Sequence, residues 1–285
     1  MPLQLKQLRP KQWIKNLLIG LAPFGAGVTS FDSWIRLGLG FISFSLMASC
    51  LYIINDFADL EADRAHPDKV KRPLASGELS VKSAVLSLII LGIIGIGIGA
   101  VLDLTFLLVL GLYALNTLIY TFWGKEIPIV DLLQVSAGFV ARLVAGAVII
   151  DVDVSPWFLT VSVFGSLLII TGKRSAEKKS GVDLEQTRPS ITGVSEHFLS
   201  QVVGIASSCL VLSYALWSLD AVKHAGEISE IWALISLGPF LVCVLRYLLL
   251  IDQSKTEKPE EAIFDPILIA AATGWLVAVS IGIFI

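Results

Sequence analysis

Charge is scarce in this chain. Only 16% of its 285 residues are Asp, Glu, Lys or Arg, where soluble globular domains carry about 25%. A basic excess is missing too: 21 Lys and Arg against 24 Asp and Glu leave a net charge of −3. That argues against a nucleic-acid binder, whose footprint is a basic patch or stripe. Cysteine is limited to Cys50, Cys209 and Cys243, scattered through apolar runs. This excludes a disulfide framework and a cysteine metal cluster, and each thiol reads as a small buried hydrophobe. No soluble domain, low-complexity tract or short-period repeat is visible. What is present is apolar: 55% of the residues are hydrophobic before the 23 glycines are added, against about 45–50% with glycine counted in ordinary domains. The composition is that of a membrane-embedded protein.

A spanning helix needs about 20 mostly apolar residues. The sequence predicts nine such runs, at 14–30, 35–56, 82–101, 104–123, 128–150, 155–173, 199–219, 229–251 and 263–284, separated by charged or turn-forming residues. The expected fold is therefore all-α: one polytopic transmembrane domain over residues 1–285, with two long connections near 57–81 and 174–198. The first run superficially resembles a signal peptide, but eight more spans and the polar Asn16 favour an uncleaved first helix. Glycines 92, 95, 97 and 99 suit close helix packing, Gly95 and Gly99 at GxxxG spacing. A lipid-tail groove is the other reading of that stripe.

Basic residues stay on the cytoplasmic side of a membrane. Lys6, Arg9, Lys11 and Lys15 precede the first run. Arg64, Lys69, Lys71, Arg72 and Lys82 belong to the second connection, and Lys125 to the fourth. Lys173, Arg174, Lys178, Lys179 and Arg188 follow the sixth run, and Lys255 and Lys258 the eighth. Only Arg36 and Lys223 fall on the opposite side, while Arg142 and Arg246 lie within runs. This asymmetry predicts an inner (plasma) membrane protein with its amino terminus in the cytoplasm and its carboxyl terminus outside. The long connections are then cytoplasmic, and long loops tend to carry function.

The second run ends Asn55-Asp56-Phe57-Ala58-Asp59-Leu60-Glu61-Ala62-Asp63-Arg64. If the helix continues, Asn55, Asp59 and Asp63 share a face at four-residue spacing, with Asp56 beside it. Such a row offers hard oxygen ligands of the kind Mg²⁺ takes while also holding substrate phosphates. Acidic residues this close to the membrane are costly and mark function. Lys69, Lys71 and Arg72 follow between Pro67 and Pro73 and suit phosphate oxygens, Arg72 in two-point fashion. His66 reads as a solvated or locally bonded side chain.

Asn55-Asp56-x-x-Asp59-x-x-x-Asp63, followed by Lys69-x-x-Arg72-Pro73 and set among nine runs, resembles the UbiA-type intramembrane prenyltransferase superfamily over essentially the whole chain. The resemblance implies nine helices around a central cavity open to the cytoplasmic side, with Mg²⁺ held by Asn55 and Asp59. Ordinary members carry a second aspartate-rich motif after the sixth span. This chain has Gly172-Lys173-Arg174-Ser175-Ala176-Glu177 there, with Lys173 and Glu177 at the i, i+4 positions. The expected Tyr-x-x-x-Lys is also altered, because Tyr120 lies one residue too early for Lys125 and leaves Thr121 in its place.

One acidic site among many cations suits two phosphorylated substrates better than one prenyl diphosphate and a neutral acceptor. The Arg9-Pro10-Lys11-Gln12-Trp13 start, the Asn55–Pro73 block, Tyr120–Lys125 and Phe164-Gly165-Ser166 leading to Glu177 resemble the decaprenyl-phosphate phosphoribosyltransferase branch. That branch implies transfer of 5-phosphoribose from 5-phosphoribosyl-1-diphosphate (PRPP) to a polyprenyl phosphate, in an early step towards a lipid-linked sugar donor for the envelope. On this reading Asp56, Asp59, Asp63, Lys173 and Glu177 are catalytic. Lys15, Lys69, Arg72, Tyr120, Lys125, Asp131, Arg142, Lys173 and Arg174 bind substrate. A conventional aromatic prenyltransferase would need the missing second acidic motif. A transporter would need charges along the depth of several spans, whereas here they gather at one face.

Overall fold

The apolar runs fold as helices. The computed structural model describes residues 6–65, 69–179, 189–223, 227–257 and 259–284, and His66 lies outside them. Among the described residues there is no strand, and eight helices are long and apolar enough to cross a membrane. They are α1 (Phe31–Ala58), α2 (Val81–Leu102), α3 (Leu104–Phe122), α4 (Val130–Ile149), α5 (Pro156–Lys179), α6 (Glu196–Ala221), α7 (Glu227–Asp252) and α8 (Pro266–Phe284). They correspond to the second to ninth expected runs. The main difference in extent is α5, which continues through Lys173–Lys179 instead of ending at the first charge. Arg174 and Lys173 reach Glu177 at i, i+3 and i, i+4 spacing, so the charged turn supports the helix.

The first expected run takes another form. Pro10–Gly20 is a 3₁₀ helix, followed by a short α-helical stretch at Leu21–Gly25. Arg9 enters it at φ 52, in the left-handed region, and Pro10 supplies a preset φ at the first position. Runs of 3₁₀ helix beyond three or four residues are uncommon, so this one needs external partners. Its three-residue period aligns Trp13, Asn16 and Ile19 in one row. Trp13 Nε1 donates to Ser49 Oγ (3.1 Å) and Asn16 Nδ2 to Ser45 Oγ (2.9 Å). Ser45 and Ser49 are one α-helical turn apart on α1. Ile19 meets Gly146, where a Cβ would run into the Ile19 carbonyl.

The chain divides into two compact units: 1–23, 28–124 and 137–152 form the first, and 24–27, 125–136 and 153–285 the second. In the first, α1 packs on the 3₁₀ arm, α2 and α3 around Phe44, Leu51, Phe106, Leu110 and Ile149. Gly95 lets α2 approach the α1 backbone, and Ser43 Oγ donates to its carbonyl at 2.7 Å. The glycine stripe thus serves packing at that point. In the second unit α5 packs on α6, α6 on α7, and α7 on α8. Buried Tyr214 ties three of these helices. Its hydroxyl lies 2.7 Å from Ser236 Oγ and accepts from Trp275 Nε1 at 2.7 Å, while its ring stacks on Phe240 at 3.8 Å. Large apolar side chains such as Ile93, Leu108, Ile235 and Val277 are exposed, the arrangement expected where lipid rather than water is the solvent.

Capping defines the turns between helices. Asp103 closes the α2–α3 junction by accepting from the backbone N–H groups of Thr105 (2.6 Å) and Phe106 (2.9 Å). These hydrogen bonds hold its carboxyl below the usual carboxylate range.

Candidate active site

The acidic motif lies at the carboxyl end of α1. Backbone hydrogen bonds from Asp59 N to the Asn55 carbonyl (2.9 Å) and from Asp63 N to the Asp59 carbonyl (2.8 Å) carry the helical path through it. Asp59 serves as the C-cap, and a short helix at Leu60–Ala65 follows. The four-residue repeat therefore holds in the backbone, but the side chains divide into two sets.

Asn55 and Asp59 form one set. Asn55 Nδ2 donates to Asp59 Oδ2 at 2.9 Å, and Thr121 at the end of α3 offers its hydroxyl to Asn55 Oδ1 at 3.4 Å. Three oxygen-bearing side chains thus meet, two of them half-buried. This donor set suits Mg²⁺, which binds through one or two carboxylates and leaves its other positions to phosphate and water. Among the described residues no group of three or more His, Cys, Asp or Glu is arranged to hold a metal ion.

Asp56 and Asp63 form the other set. Both are buried, and both are engaged by arginines that remain partly exposed. Arg9 and Arg72 share Asp56 Oδ1, the Arg72 contact at 3.2 Å, and Arg72 also pairs with Asp63. The exposures are 3% and 2% for the two carboxylates and 24% and 26% for the two arginines. Arg9 also lies over the Tyr52 ring, 5.1 Å from its centroid. Burial pushes the Arg9 guanidinium down from its ordinary value, with Asp56 the main opposing influence. Asp63 Oδ1 is buried without a hydrogen-bond partner. Lys69 and Lys71 lie on a single 3₁₀ turn against the Leu60–Ala65 helix. Tyr120 precedes Thr121 at the end of α3 and Lys15 lies on the 3₁₀ arm, both half-buried, while Lys125, also half-buried, belongs to the second unit.

Arg142, also in the first unit, lies deep on α4. Its Nε donates to Asn16 Oδ1 (2.7 Å) and its Nη2 to the Tyr113 hydroxyl (3.0 Å), and Nη1 bonds the Gly138 carbonyl.

The remaining expected residues belong to the second unit. Arg174 is buried at 2% exposure and grips Asp131 through two hydrogen bonds, Nε to Oδ2 (2.6 Å) and Nη2 to Oδ1 (2.8 Å). Its third nitrogen reaches Glu177 Oε2 at 2.8 Å, and Glu177 Oε1 lies 3.8 Å from Lys173 Nζ. Outward from the core the order is Asp131, Arg174, Glu177, Lys173, with Glu177 and Lys173 at 17% and 31% exposure. The two neighbouring lysines make backbone contacts: Lys178 donates to the Ile191 carbonyl and Lys179 to that of Asp252.

Arg9 and Thr121 join the candidate site without being expected there. The sequence marks Arg9 only for sidedness and within the amino-terminal block, and Thr121 only as the residue left in register with Lys125. A recess of about 490 Å³ opens elsewhere, at the α7–α8 connection, beside Ser254, Lys255, Glu257, Phe264 and Asp265. It contains none of the expected site residues.

Comparison with known proteins identifies the family. A decaprenyl-phosphate phosphoribosyltransferase of Corynebacterium glutamicum is 36% identical over 99% of this chain and 86% of its own length. The enzyme of that name from Mycobacterium tuberculosis is 32% identical over 96% and 92%. Among solved structures, a UbiA homolog from Archaeoglobus fulgidus bound to Cd²⁺ superposes with a TM-score of 0.71 at 20% identity, covering 99% of this chain and all of that one. The same homolog bound to GPP and Mg²⁺ gives 0.68 at 19% identity, with 98% of each chain covered. The UbiA prenyltransferase family model matches residues 17–271. The chain belongs to the UbiA prenyltransferase family.

Proposed function

We propose that this protein transfers 5-phosphoribose from PRPP to a polyprenyl phosphate and releases diphosphate. The observation that carries this reading is the division of the acidic motif. Asn55 and Asp59 form one oxygen-rich pair, while Asp56 and Asp63 hold two partly exposed guanidiniums beside it. A diphosphate needs both an oxygen-ligated cation and fixed positive charge. The α5 segment, where a prenyl-diphosphate enzyme would carry a second acidic row, has its one glutamate bound by Arg174. The names of relatives at 32–36% identity support the same reading.

In the proposed reaction a lipid-phosphate oxygen forms a bond to ribose C1 as the bond from C1 to the diphosphate oxygen breaks. Attack in line on the α-diphosphate inverts C1 and gives the β-linked product. The lipid phosphate carries about −1.5 to −2 charges at neutral pH and needs no strong base to attack. The transition state has oxocarbenium character, as in glycosyl transfer generally. Mg²⁺, held by Asn55 and Asp59, would neutralise the departing diphosphate. Arg9, Arg72, Lys69 and Lys15 supply the remaining positive charge of the first unit. In the second unit Lys173 and Glu177 are the accessible members and are the ones we assign to substrate, with Arg174 and Asp131 supporting them.

We further propose nine crossings, with the amino terminus in the cytoplasm. A 3₁₀ helix rises about 2.0 Å per residue, so Pro10–Gly20 extends about 22 Å. Leu21–Gly25 adds about 7 Å at the α-helical rise. The sum is close to the ~30 Å of hydrocarbon that a span must cross.

The test incubates membranes containing the protein with ribose-labelled PRPP, Mg²⁺ and decaprenyl phosphate. The expected result is a lipid-soluble labelled product that disappears with Asp59→Ala. Product formed only from a prenyl diphosphate and an aromatic acid would overturn the reading in favour of conventional prenyl transfer.

A further inference from the structure

Arg142 is a buried guanidinium well inside an apolar helix, and among the described residues it has no carboxylate partner. It lies twelve residues into α4, about 18 Å along the helix from Val130. Of the described residues, those it contacts are Asn16, Tyr113 and the Gly138 carbonyl, with the rings of Tyr113, Phe44 and Phe139 at 4.8, 5.2 and 5.9 Å from its Cζ. Arginine stays protonated in proteins, and a charge in hydrocarbon is retained only where something depends on it. Here three oxygen acceptors and three ring faces replace its hydration. Each of its three nitrogens is engaged within the protein, an arrangement suited to holding a protein element.

The element it holds is the 3₁₀ arm. Asn16 accepts from Arg142 through Oδ1 and donates through Nδ2 to Ser45 on α1, so one buried amide links three segments. Gly146 stands one α-helical turn beyond Arg142 on the same face of α4, and the Ile19 carbonyl is seated against it. Asn16 and Ile19 are themselves one 3₁₀ turn apart. The arm is therefore docked on α4 at two successive turns. At its other end Arg9 pairs with Asp56, and the Leu8 carbonyl accepts from Ser49. Lys15 is the immediate neighbour of Asn16.

We propose that Arg142 is a positioning residue: through Asn16 it fixes the amino-terminal arm and so sets where Arg9 and Lys15 are presented to substrate phosphate. The inference rests on the phosphoribosyl-transfer reading for its kinetic consequence, but not for the docking itself.

The test uses the full-length protein in detergent, with the three native cysteines replaced by alanine and a nitroxide placed at the exposed position of Lys11→Cys. Asn16→Ala is expected to sharpen the nitroxide spectrum and to raise the KM for PRPP about tenfold. The change in kcat is smaller, and the melting temperature stays within a few degrees. Arg142→Lys, which keeps the charge and loses the fork, shifts both readouts in the same direction. Adding Asn16→Asp to Arg142→Lys rebuilds the link as an ion pair and returns both towards their starting values. Unchanged nitroxide mobility in Asn16→Ala and in Arg142→Lys would overturn the proposal. So would a KM that rises in the Arg142 variant and not in the Asn16 variant, because that pattern means direct contact with substrate. If the unsubstituted protein makes no ribosyl lipid, the functional reading fails, and the nitroxide measurement still decides whether Arg142 docks the arm.

Discussion

The two units build their charged groups with opposite polarity. In the first, the carboxylates of Asp56 and Asp63 are buried and the guanidiniums of Arg9 and Arg72 reach outward. In the second, the guanidinium of Arg174 is buried on Asp131, and what reaches outward is Glu177 with Lys173. A buried ion costs several kcal/mol unless it is paired and hydrogen-bonded, so in each group the inner member exists to hold the outer one in place. The first unit thus presents positive charge, the property a diphosphate and a lipid phosphate select for. The second presents a mixed pair, better matched to hydroxyl groups and to a single phosphate oxygen. On the proposed function the arginines of the first group face substrate phosphate, whereas Arg174 supports its neighbours.

Four substitutions test that contrast, in decreasing order of effect. Asp59→Ala removes the carboxylate that accepts from Asn55, and its rate should fall by about 10²–10³-fold, the scale for losing a group that stabilises developing charge. A steady-state assay with labelled PRPP measures it, and a loss under tenfold would shift the metal role to Asp56 or Asp63. Arg174→Met should cost about 3–5 kcal/mol of stability, because Asp131 is left charged and buried. Denaturant unfolding in detergent reads this, and Asp131→Leu combined with Arg174→Met should recover most of the loss. Arg72→Met also leaves a buried carboxylate, that of Asp63, without its arginine, so it should add to a loss of stability a large rise in KM for PRPP that Arg174→Met lacks. If Arg72→Met and Arg174→Met change the KM for PRPP equally, the opposed polarity has no functional meaning. Thr121→Val should weaken Mn²⁺ binding by about tenfold, as removal of a group that orients a metal ligand does. Electron paramagnetic resonance of free Mn²⁺ measures it without requiring turnover.

Eight of the helices could be read directly, because an apolar run of spanning length has few ways to satisfy its backbone other than as a helix. The form of the first run could not. Trp13, Asn16 and Ile19 fit a three-residue period only once Ser45, Ser49 and Gly146 are known to face them, and that is tertiary information. At the site, the spacing of Asn55 and Asp59 gave their shared face correctly. The side-chain partners of Asp56 and Asp63 stayed hidden: Arg9 is 47 residues from Asp56, and Arg72, nine residues from Asp63, reads in the sequence as a phosphate ligand. Charge at a span end announces function, but it does not say which charges face substrate and which hold their neighbours.

A third ion pair provides the control for both groups. Arg246 and Asp265 join α7 to the start of α8 through two hydrogen bonds, at 2.9 and 2.7 Å. Neither partner is deeply buried, at 21% and 14% exposure. The hydrogen bond from Arg246 holds the Asp265 carboxyl down at about 2. A depressed folded-state value means that the pair's contribution is complete above the ordinary Asp value of about 3.9 and is lost as pH falls through the folded value. Asp265→Asn should therefore flatten the dependence of melting temperature on pH between about 4 and 2. The variant keeps the cap that Asp265 Oδ1 provides to Ile267 and Leu268 N–H, so the difference between the two curves isolates the ion pair. The effect should be the smallest of the set, because pairs that reach solvent are screened. A pH slope in Asp265→Asn as steep as in the parent would place the acid sensitivity elsewhere. A loss at neutral pH as large as that of Arg174→Met would show that solvent exposure does not rank these pairs, and the contrast between the two units would fail with it.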